Sequence, residues 1–380
     1  MHDQAAALER QHWQGSRRQL EAASADPALR RQANRLLWEI CQVLHDPDAA
    51  MTHLRAAIDE DPLFTRQPRG GLASPHPPMR SVLVLATPGD FQANLPLDRL
   101  FDDSTALHTL WLPDPEAVLR DPASAIPAGL PPIDCVFIAI AQDDRQTAAL
   151  RAADALAAAL GVPTINRGER IAALSRAGAA ALLHDLPNTL VPSHHLVRRG
   201  DASPIAYPVI IRPHGSHAGQ GLRRLDDAEA LAACYAADQA PWFTVAPFVD
   251  YRSQDGAWRK YRVIFVGGMA YPLHLAIHDD WAVWYYNARM QGCEAKLAEE
   301  RLFMADLGAA FPPRALAALR ELSGRVGLDY FGLDCSVMPD GRLLVFEIET
   351  GMIVQDHPGL HIGRAVERLI DGRLARARGA

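Results

Sequence analysis

The sequence predicts a mixed α/β chain, with strand-rich and helix-rich stretches also segregated in the α+β manner. Three observations carry that expectation. Between residues 81 and 166, apolar strands alternate with an alanine-rich helix, the pattern of a parallel sheet. At 208–222, PVIIRPHGSHAGQGL, a β-branched strand runs into a glycine-rich loop and a second short strand. At 329–350, two strands flank Pro339-Asp340-Gly341, a hairpin signal, and the second strand carries Glu347 and Glu349. At 380 residues the chain exceeds what one core usually organises, so two or three domains are expected.

Composition narrows the function classes. The formal net charge is −7, and no block of like charges stands out. That argues against a nucleic-acid footprint and a polybasic membrane patch. No apolar run approaches the length of a membrane span. The first residues, MHDQAAALERQHW, are polar and charged and lack the apolar region of a signal peptide. Cys41, Cys135, Cys234, Cys293 and Cys335 are scattered without a C-x-x-C, which fits reduced thiols in small core positions. A cytoplasmic protein is expected.

Residues 1–64 read as a helical segment. Leu29, Leu36, Leu37, Ile40, Val43 and Leu44 recur at helical spacings. Asp26-Pro27 and Asp46-Pro47 each place a capping residue before a proline suited to the first turn. The stretch from Leu36 to Pro62 resembles a tetratricopeptide hairpin, with Trp38 on the first helix, Ala49 and Ala57 on the second and Pro62 at the end. One such hairpin cannot bury its own face. It is expected to dock on the main body, the alternative being a homodimer or a protein partner bound through these helices.

A Pro- and Gly-rich linker is expected over 65–78. A compact α/β domain over 80–166 follows, with strands at 81–87, 105–112, 133–141 and 162–166 and a helix at 147–161 that stops at Gly161. No phosphate-binding fingerprint follows its first strand, so this domain is read as orienting a substrate. The third domain, 167–380, opens with a helical connector that holds Arg176 and the pair His194-His195; the histidines are read as surface or hinge. A strand at 242–250 ends in Pro247, Phe248, Val249 and Asp250. Two strands at 258–277 are joined by Gly267-Gly268, and an aromatic stretch at 279–290 comes next.

Two stretches of the third domain carry chemistry. Arg212 closes the 208–222 strand with a permanent charge, and Pro213 keeps it out of helix. In the loop, Gly215, Gly219 and Gly221 leave few side chains in the way of an anion approaching the backbone N–H groups; Ser216 and His217 lie between. The spacing matches neither a dinucleotide turn nor a Walker loop. A flap and a plain surface hairpin both satisfy it. Glu347 and Glu349, two apart on a strand, share a face, while Phe346 and Ile348 are expected to point into the core. Asp334 on the partner strand can face the same side. Three converging carboxylates repel one another unless a hard cation such as Mg²⁺ or Mn²⁺ joins them. An exposed acidic face, or carboxylates paired with arginines, is the alternative.

The order of these pieces resembles the ATP-grasp fold. A strand–flap–strand is followed by a strand with an acidic hinge residue, then Lys260-Tyr261-Arg262-Val263, then Asp334 and the Glu347-Ile348-Glu349 strand. The stretch ending in VPTINRGERI resembles the pre-ATP-grasp domain that accompanies that fold. The resemblance covers roughly 80–365 and is nearest to glutathione-synthetase- and RimK-like ligases. It implies ATP as a cosubstrate with Mg²⁺ or Mn²⁺. Arg176 and Arg212 would touch the α- and β-phosphates, and Gly215, Ser216, His217, Gly219 and Gly221 would cover them. Pro247, Phe248 and Val249 would form the adenine hinge, with Asp250 near the ribose. Arg262, with Arg212, would serve the transferring phosphoryl group and the substrate carboxylate, while Asp334, Glu347 and Glu349 would hold the metal.

This chain departs from the family pattern in three places. Arginines 176 and 212 stand where many members have lysines, and Glu349 stands where an asparagine is usual. The resemblance implies a carboxylate–amine ligase for an amino acid or small peptide, acting through an acylphosphate. A small-molecule kinase using the same cleft and a non-catalytic nucleotide-binding scaffold are the alternatives. Trp281, Trp284, Tyr285, Tyr286 and Asn287 are candidates for lining the substrate pocket or for packing beneath the sheet. Arg259 and Arg289 are candidates for pairing a second carboxylate.

Overall fold

The computed structural model describes residues 2–66, 78–216, 219–284, 287–354 and 362–379. The chain divides into two compact units, Met1–Ala172 with Thr350–Ala380, and Ala173–Glu349. Among the described residues no helix is long and apolar enough to cross a membrane.

The first unit is built on a five-stranded sheet of β1 (Leu63–Thr65), β2 (Arg80–Ala86), β3 (Thr105–Trp111), β4 (Cys135–Ile138) and β5 (Thr164–Ile165), in the order β1-β3-β2-β4-β5. The pairs β2–β3, β2–β4 and β4–β5 are parallel, as the alternating strands and helix predict. Val82 to Ala86 and Cys135 to Ile138 are all buried, the run of apolar residues that a sheet covered on both faces requires. The helix Thr147–Leu160 covers it with Leu150, Ala153 and Leu156 and stops at Gly161, which takes the left-handed conformation.

The end of the expected helical segment and the first residue of the expected linker form a strand: Leu63–Thr65 adds an antiparallel edge to β3. Residues 67–77 of that linker lie outside the described residues. The helices Arg30–Val43 and Pro47–Glu60 form the expected hairpin, with the Asp46 side chain accepting from the Ala49 N–H and Pro47 in the first turn. The hairpin is docked. Trp38, Cys41, Ala50, Leu54 and Ile58 share one apolar cluster with Ala86 and Trp111 of the sheet. The Trp38 indole N–H donates to the Gly89 carbonyl at 3.0 Å.

The helix Ile362–Gly379 also belongs to this unit, whereas the sequence places it with the third domain. Its anchor is ionic: the Arg80 guanidinium forks onto Asp371, Nε to Oδ1 at 2.6 Å and Nη2 to Oδ2 at 2.7 Å.

The second unit contains two sheets. Its strands are β6 (Thr189–Leu190), β7 (His195–Arg198), β8 (Val209–Pro213), β9 (Arg223–Leu225), β10 (Trp242–Pro247), β11 (Trp258–Val266), β12 (Met269–His278), β13 (Tyr330–Val337) and β14 (Leu343–Glu349). A four-stranded antiparallel sheet runs β7-β10-β8-β9, and a five-stranded sheet runs β12-β11-β13-β14-β6. The expected hairpins are β8–β9, β11–β12 and β13–β14. Gly267 and Gly268 both have positive φ, the geometry a two-residue hairpin turn demands. Val209, Ile211, Phe243 and Val245 bury one face of the smaller sheet against Leu231 and Cys234 of the helix Ala228–Ala237.

Candidate anion-binding site in the second unit

The five-stranded sheet carries a row of ionisable side chains across four adjacent strands. His274 on β12 is opposite Arg262 on β11, Arg262 is opposite Asp334 on β13, and Asp334 is opposite Glu347 on β14. Residues directly opposite in a ladder present their side chains to the same face. Period-two alternation adds Lys260 beside Arg262 and Glu349 beside Glu347.

Asp334 is the centre of the row. Its side chain is 2% exposed. Arg262 forks onto it, Nε to Oδ1 at 2.8 Å and Nη2 to Oδ2 at 3.0 Å. Lys260 Nζ lies 2.6 Å from Oδ2. Burial alone would raise the pKa of this carboxyl, but Lys260 and Arg262 outweigh it and hold the group well below the usual carboxylate range. Glu347 is held by Arg176, whose Nε and Nη2 reach Oε2 at 2.9 and 2.7 Å. There too burial is outweighed, by Arg176, and the pKa is lowered.

A bulge shapes the end of the row. The register moves from Asp334 opposite Glu347 to Cys335 opposite Val345, so Phe346 is an extra residue. The simple alternation read from the sequence therefore fails at Phe346. It is half-buried and stacks edge-on against Tyr251 at 5.1 Å, while Ile348 is buried as expected.

Arg212 brings the smaller sheet to this row. It lies on β8 and faces Arg176 and Glu347. Burial, and then Arg176, push its pKa down to about 10. Its guanidinium holds the glycine loop: Nε donates to Ser216 Oγ at 2.9 Å and Nη2 to the Ser216 carbonyl. Ser216 Oγ in turn donates to the Pro213 carbonyl at 2.7 Å. Gly215, Gly219 and Gly221 all have positive φ. At Gly221 the need is steric as well, since a Cβ there would stand 2.6 Å from Pro213 Cδ. At Gly219 a Cβ would meet the Trp284 ring at 3.6 Å, so the loop packs on that indole. His217 lies outside the described residues, as do Tyr285 and Tyr286.

The expected hinge sits at the end of β10. The Phe248 N–H donates to the Pro208 carbonyl at 3.0 Å. Its ring is packed between the Arg224 guanidinium, 4.2 Å from the centroid, and Trp281, at 5.8 Å. Val249 is half-buried beside it. Asp250 is paired with Arg252, whose Nε donates to Oδ1 at 3.0 Å. Arg259 forks onto Asp255 and Glu299, which corrects its reading as an anchor for a substrate carboxylate. Asn287 closes its own loop through the Trp284 N–H and the Ala282 carbonyl.

The structure thus brings Arg176, Arg212, Arg262, Asp334, Glu347 and Glu349 together with the glycine loop. Three further residues join them that sequence reasoning left out. Lys260 was visible in the Lys260-Tyr261-Arg262 alternation. His194, read as surface or hinge, lies beside Arg176, Glu347 and Arg212, and burial followed by Arg176 lowers its pKa to about 4. His274 is shifted to about 4 by burial and then Arg262; only the β11–β12 register reveals it.

The phosphate end of a nucleotide fits this arrangement. Open glycine backbone lies next to Arg212, and Arg176, Lys260 and Arg262 supply further positive charge. A divalent ion held by Asp334, Glu347 and Glu349 does not fit the donor set as it stands. Both oxygens of Asp334 and Oε2 of Glu347 are occupied by cationic nitrogens. Among the described residues no group of three or more His, Cys, Asp or Glu side chains forms a metal-binding cluster. Asp334 and Glu347 are paired instead with Arg262, Lys260 and Arg176.

No family model matches the chain, and no curated protein matches it. Among solved structures it is similar to an L-amino acid ligase from Bacillus licheniformis, at 14% identity and a TM-score of 0.46, over 78% of this chain and 74% of that one. It is similar to a RimK domain ATP-grasp protein from Sphaerobacter thermophilus at 16% identity and a TM-score of 0.45, over 77% and 100%. A D-alanine-D-alanine ligase from Coxiella burnetii matches at 13% identity and a TM-score of 0.46, over 79% and 96%. The fold is mixed α/β, and these three solved structures are two ligases and a RimK domain ATP-grasp protein.

Proposed function

We propose that the chain is an ATP-dependent ligase that joins a carboxylate to an amine, with an amino acid or small peptide as substrate. The observation that carries this reading is Arg212. It both holds the glycine loop through Ser216 and faces Arg176 and Glu347 of the charged row. A loop that closes over a positively charged face is what two anions need in order to meet.

In the proposed reaction a substrate carboxylate oxygen attacks the γ-phosphorus of ATP, and the bond to the ADP oxygen breaks. The amine nitrogen then attacks the acyl carbon, phosphate leaves with its oxygen, and the amine gives up a proton. Arg212 and Arg176 hold the phosphates, and Arg262 neutralises charge on the transferring group. Gly215, Ser216, Gly219 and Gly221 exclude water that would hydrolyse the acylphosphate. Phe248 and Val249 form the hinge against which the base packs. These roles rest on the placement of the residues and on the resemblance in their order along the chain.

Calorimetric titration of ATP into the purified chain tests the reading. Binding in the wild type and at least about tenfold weaker binding in Arg212→Ala are expected, from loss of a charge-assisted phosphate contact. An unaltered constant would move Arg212 to a purely structural role in the loop. Phosphate release that depends on both an amino acid and an amine acceptor would distinguish a ligase from a kinase, whose product keeps the phosphoryl group. ATP binding without turnover on any substrate is the scaffold outcome.

A further inference from the structure

We propose that Lys260 and Arg262 act as the built-in countercharge of this cleft, so that the chain binds a polyphosphate without a divalent ion. The inference rests on the nucleotide-binding reading above and concerns how that site neutralises charge.

Asp334 is the buried pivot of the argument. It is fully enclosed, and three nitrogen atoms of two side chains meet it at 2.6 to 3.0 Å. Mg²⁺ needs carboxylate oxygen at about 2.0–2.1 Å in a near-octahedral shell. To supply it, Asp334 must release Lys260 and part of the Arg262 fork. Both cations, 22% and 28% exposed, would then be left beside a doubly charged ion. Asp334 is the enclosed member of the group, so stripping it of its partners is unfavourable.

The charge inventory of the face leads to the same result. Asp334, Glu347 and Glu349 bring three negative charges, and Arg176, Arg212, Lys260 and Arg262 bring four positive ones. The face is therefore net positive before any ion is added. An acidic trio with no cations of its own would repel a polyphosphate and would need the metal; this face attracts one. Lys260 is the decisive residue, since it tips the balance from even to positive. A lysine is suited to the role because its ammonium is compact and fits beside the planar Arg262 fork on the same carboxylate.

The test is titration of ATP into the full-length chain in EDTA and, separately, in excess Mg²⁺. The dissociation constants are expected to agree within about threefold, a difference of well under 1 kcal/mol. Binding that is lost or weakened by more than about tenfold in EDTA overturns the proposal while leaving the nucleotide reading intact. Absence of binding in both buffers overturns both. Lys260→Met then reports on the residue itself: its affinity in EDTA is expected to fall at least about tenfold and to be partly restored by Mg²⁺. Equal losses in the two buffers would overturn the role of Lys260. Mn²⁺ titration of the nucleotide-free wild type, read by electron paramagnetic resonance, needs no variant. No bound ion at micromolar Mn²⁺ is expected, and a stoichiometric site would overturn the proposal.

Discussion

The two five-stranded sheets of this protein use the same number of strands for opposite ends. In the first unit the central strands are apolar on both faces from Val82 to Ala86 on β2 and from Cys135 to Ile138 on β4. In the second unit the strands β11, β13 and β14 keep one face apolar, with Val263, Phe265, Leu333 and Ile348, and give the other to Arg262, Asp334 and Glu347. Helices cover a parallel sheet on both sides, whereas antiparallel strands can leave a face free. The free face is where charge can be stored. Each unit also contains an arginine–aspartate fork, and the two forks are built differently. Arg80 meets Asp371, whose side chain is 51% exposed, so water shares the pair. Asp334 has no such access.

The sharpest way to break this comparison is to remove one acid from each fork. Asp334→Ala leaves Lys260 and Arg262 without their partner inside the fold. It is expected to cost the second unit about 3–5 kcal/mol. Asp371→Ala takes the fork from Arg80, which is itself only 8% exposed but keeps Glu367 3.9 Å away, and is expected to cost the first unit about 2 kcal/mol. Hydrogen exchange resolved by unit measures both. Equal losses would show that the two forks are equivalent and that the Asp334 row has no special burial.

The first unit should instead yield to loss of packing. Trp38→Ala empties the contact between the helical hairpin and Trp111 and removes the bond to Gly89. A cost of about 3 kcal/mol is expected, with exposure of apolar surface that a hydrophobic dye would detect. A variant as stable as the wild type would mean that the hairpin contributes nothing to the sheet it covers. Smaller still, and confined to the second unit, is Gly221→Ala. The left-handed backbone costs a β-carbon about 1–2 kcal/mol, and the clash with Pro213 adds to it. ATP affinity should fall while protection of the first unit stays unchanged. Loss of protection in both units would show that the loop's geometry is not a local matter.

How far these features could be read in the sequence follows from the range of the forces involved. Local chemistry was legible: Asp46-Pro47 starts a helix, Gly161 stops one, and the turns at 267–268 and 339–341 join hairpins. The apolar runs gave the parallel sheet for the same reason. The side-chain alternation that puts Asp334, Glu347 and Glu349 on one face also held, because period two is a property of the strand. It failed at Phe346, where a bulge inserts a residue and nothing local announces it. What could not be read was pairing. That Arg262 stands opposite Asp334, and His274 opposite Arg262, depends on the register of strands up to 72 residues apart. The ion pairs of Asp334 with Arg262 and Lys260, and of Glu347 with Arg176, therefore come from the structure alone. In the same way, the strand at Leu63–Thr65 is made by the edge of β3 rather than by its own three residues.

The subtlest difference should appear on acidification. His194 faces Arg176, Arg212 and Glu347, and His274 faces Arg262, Asp334 and Lys260. Burial, and then the nearby arginine, hold each neutral, with a pKa of about 4 in place of the usual 6.5. In the unfolded chain both take up a proton near pH 6.5. The folded second unit is therefore favoured fully above pH 6.5 and loses stability as the pH falls toward 4. Asp334 does not add to that slope. Its lowered pKa gives stability that is present above about pH 4 and is lost only below it. Each histidine can contribute at most about 1.4 kcal/mol per pH unit within the window. Protection of the second unit against hydrogen exchange at pH 7, 6 and 5 is expected to fall in the wild type. It should fall less in a His194→Gln, His274→Gln double variant, in which neither position can charge. An identical slope in the two proteins would mean that the histidines are solvated and titrate as they do in the unfolded chain. The charged row would then extend over Arg262, Asp334 and Glu347 alone.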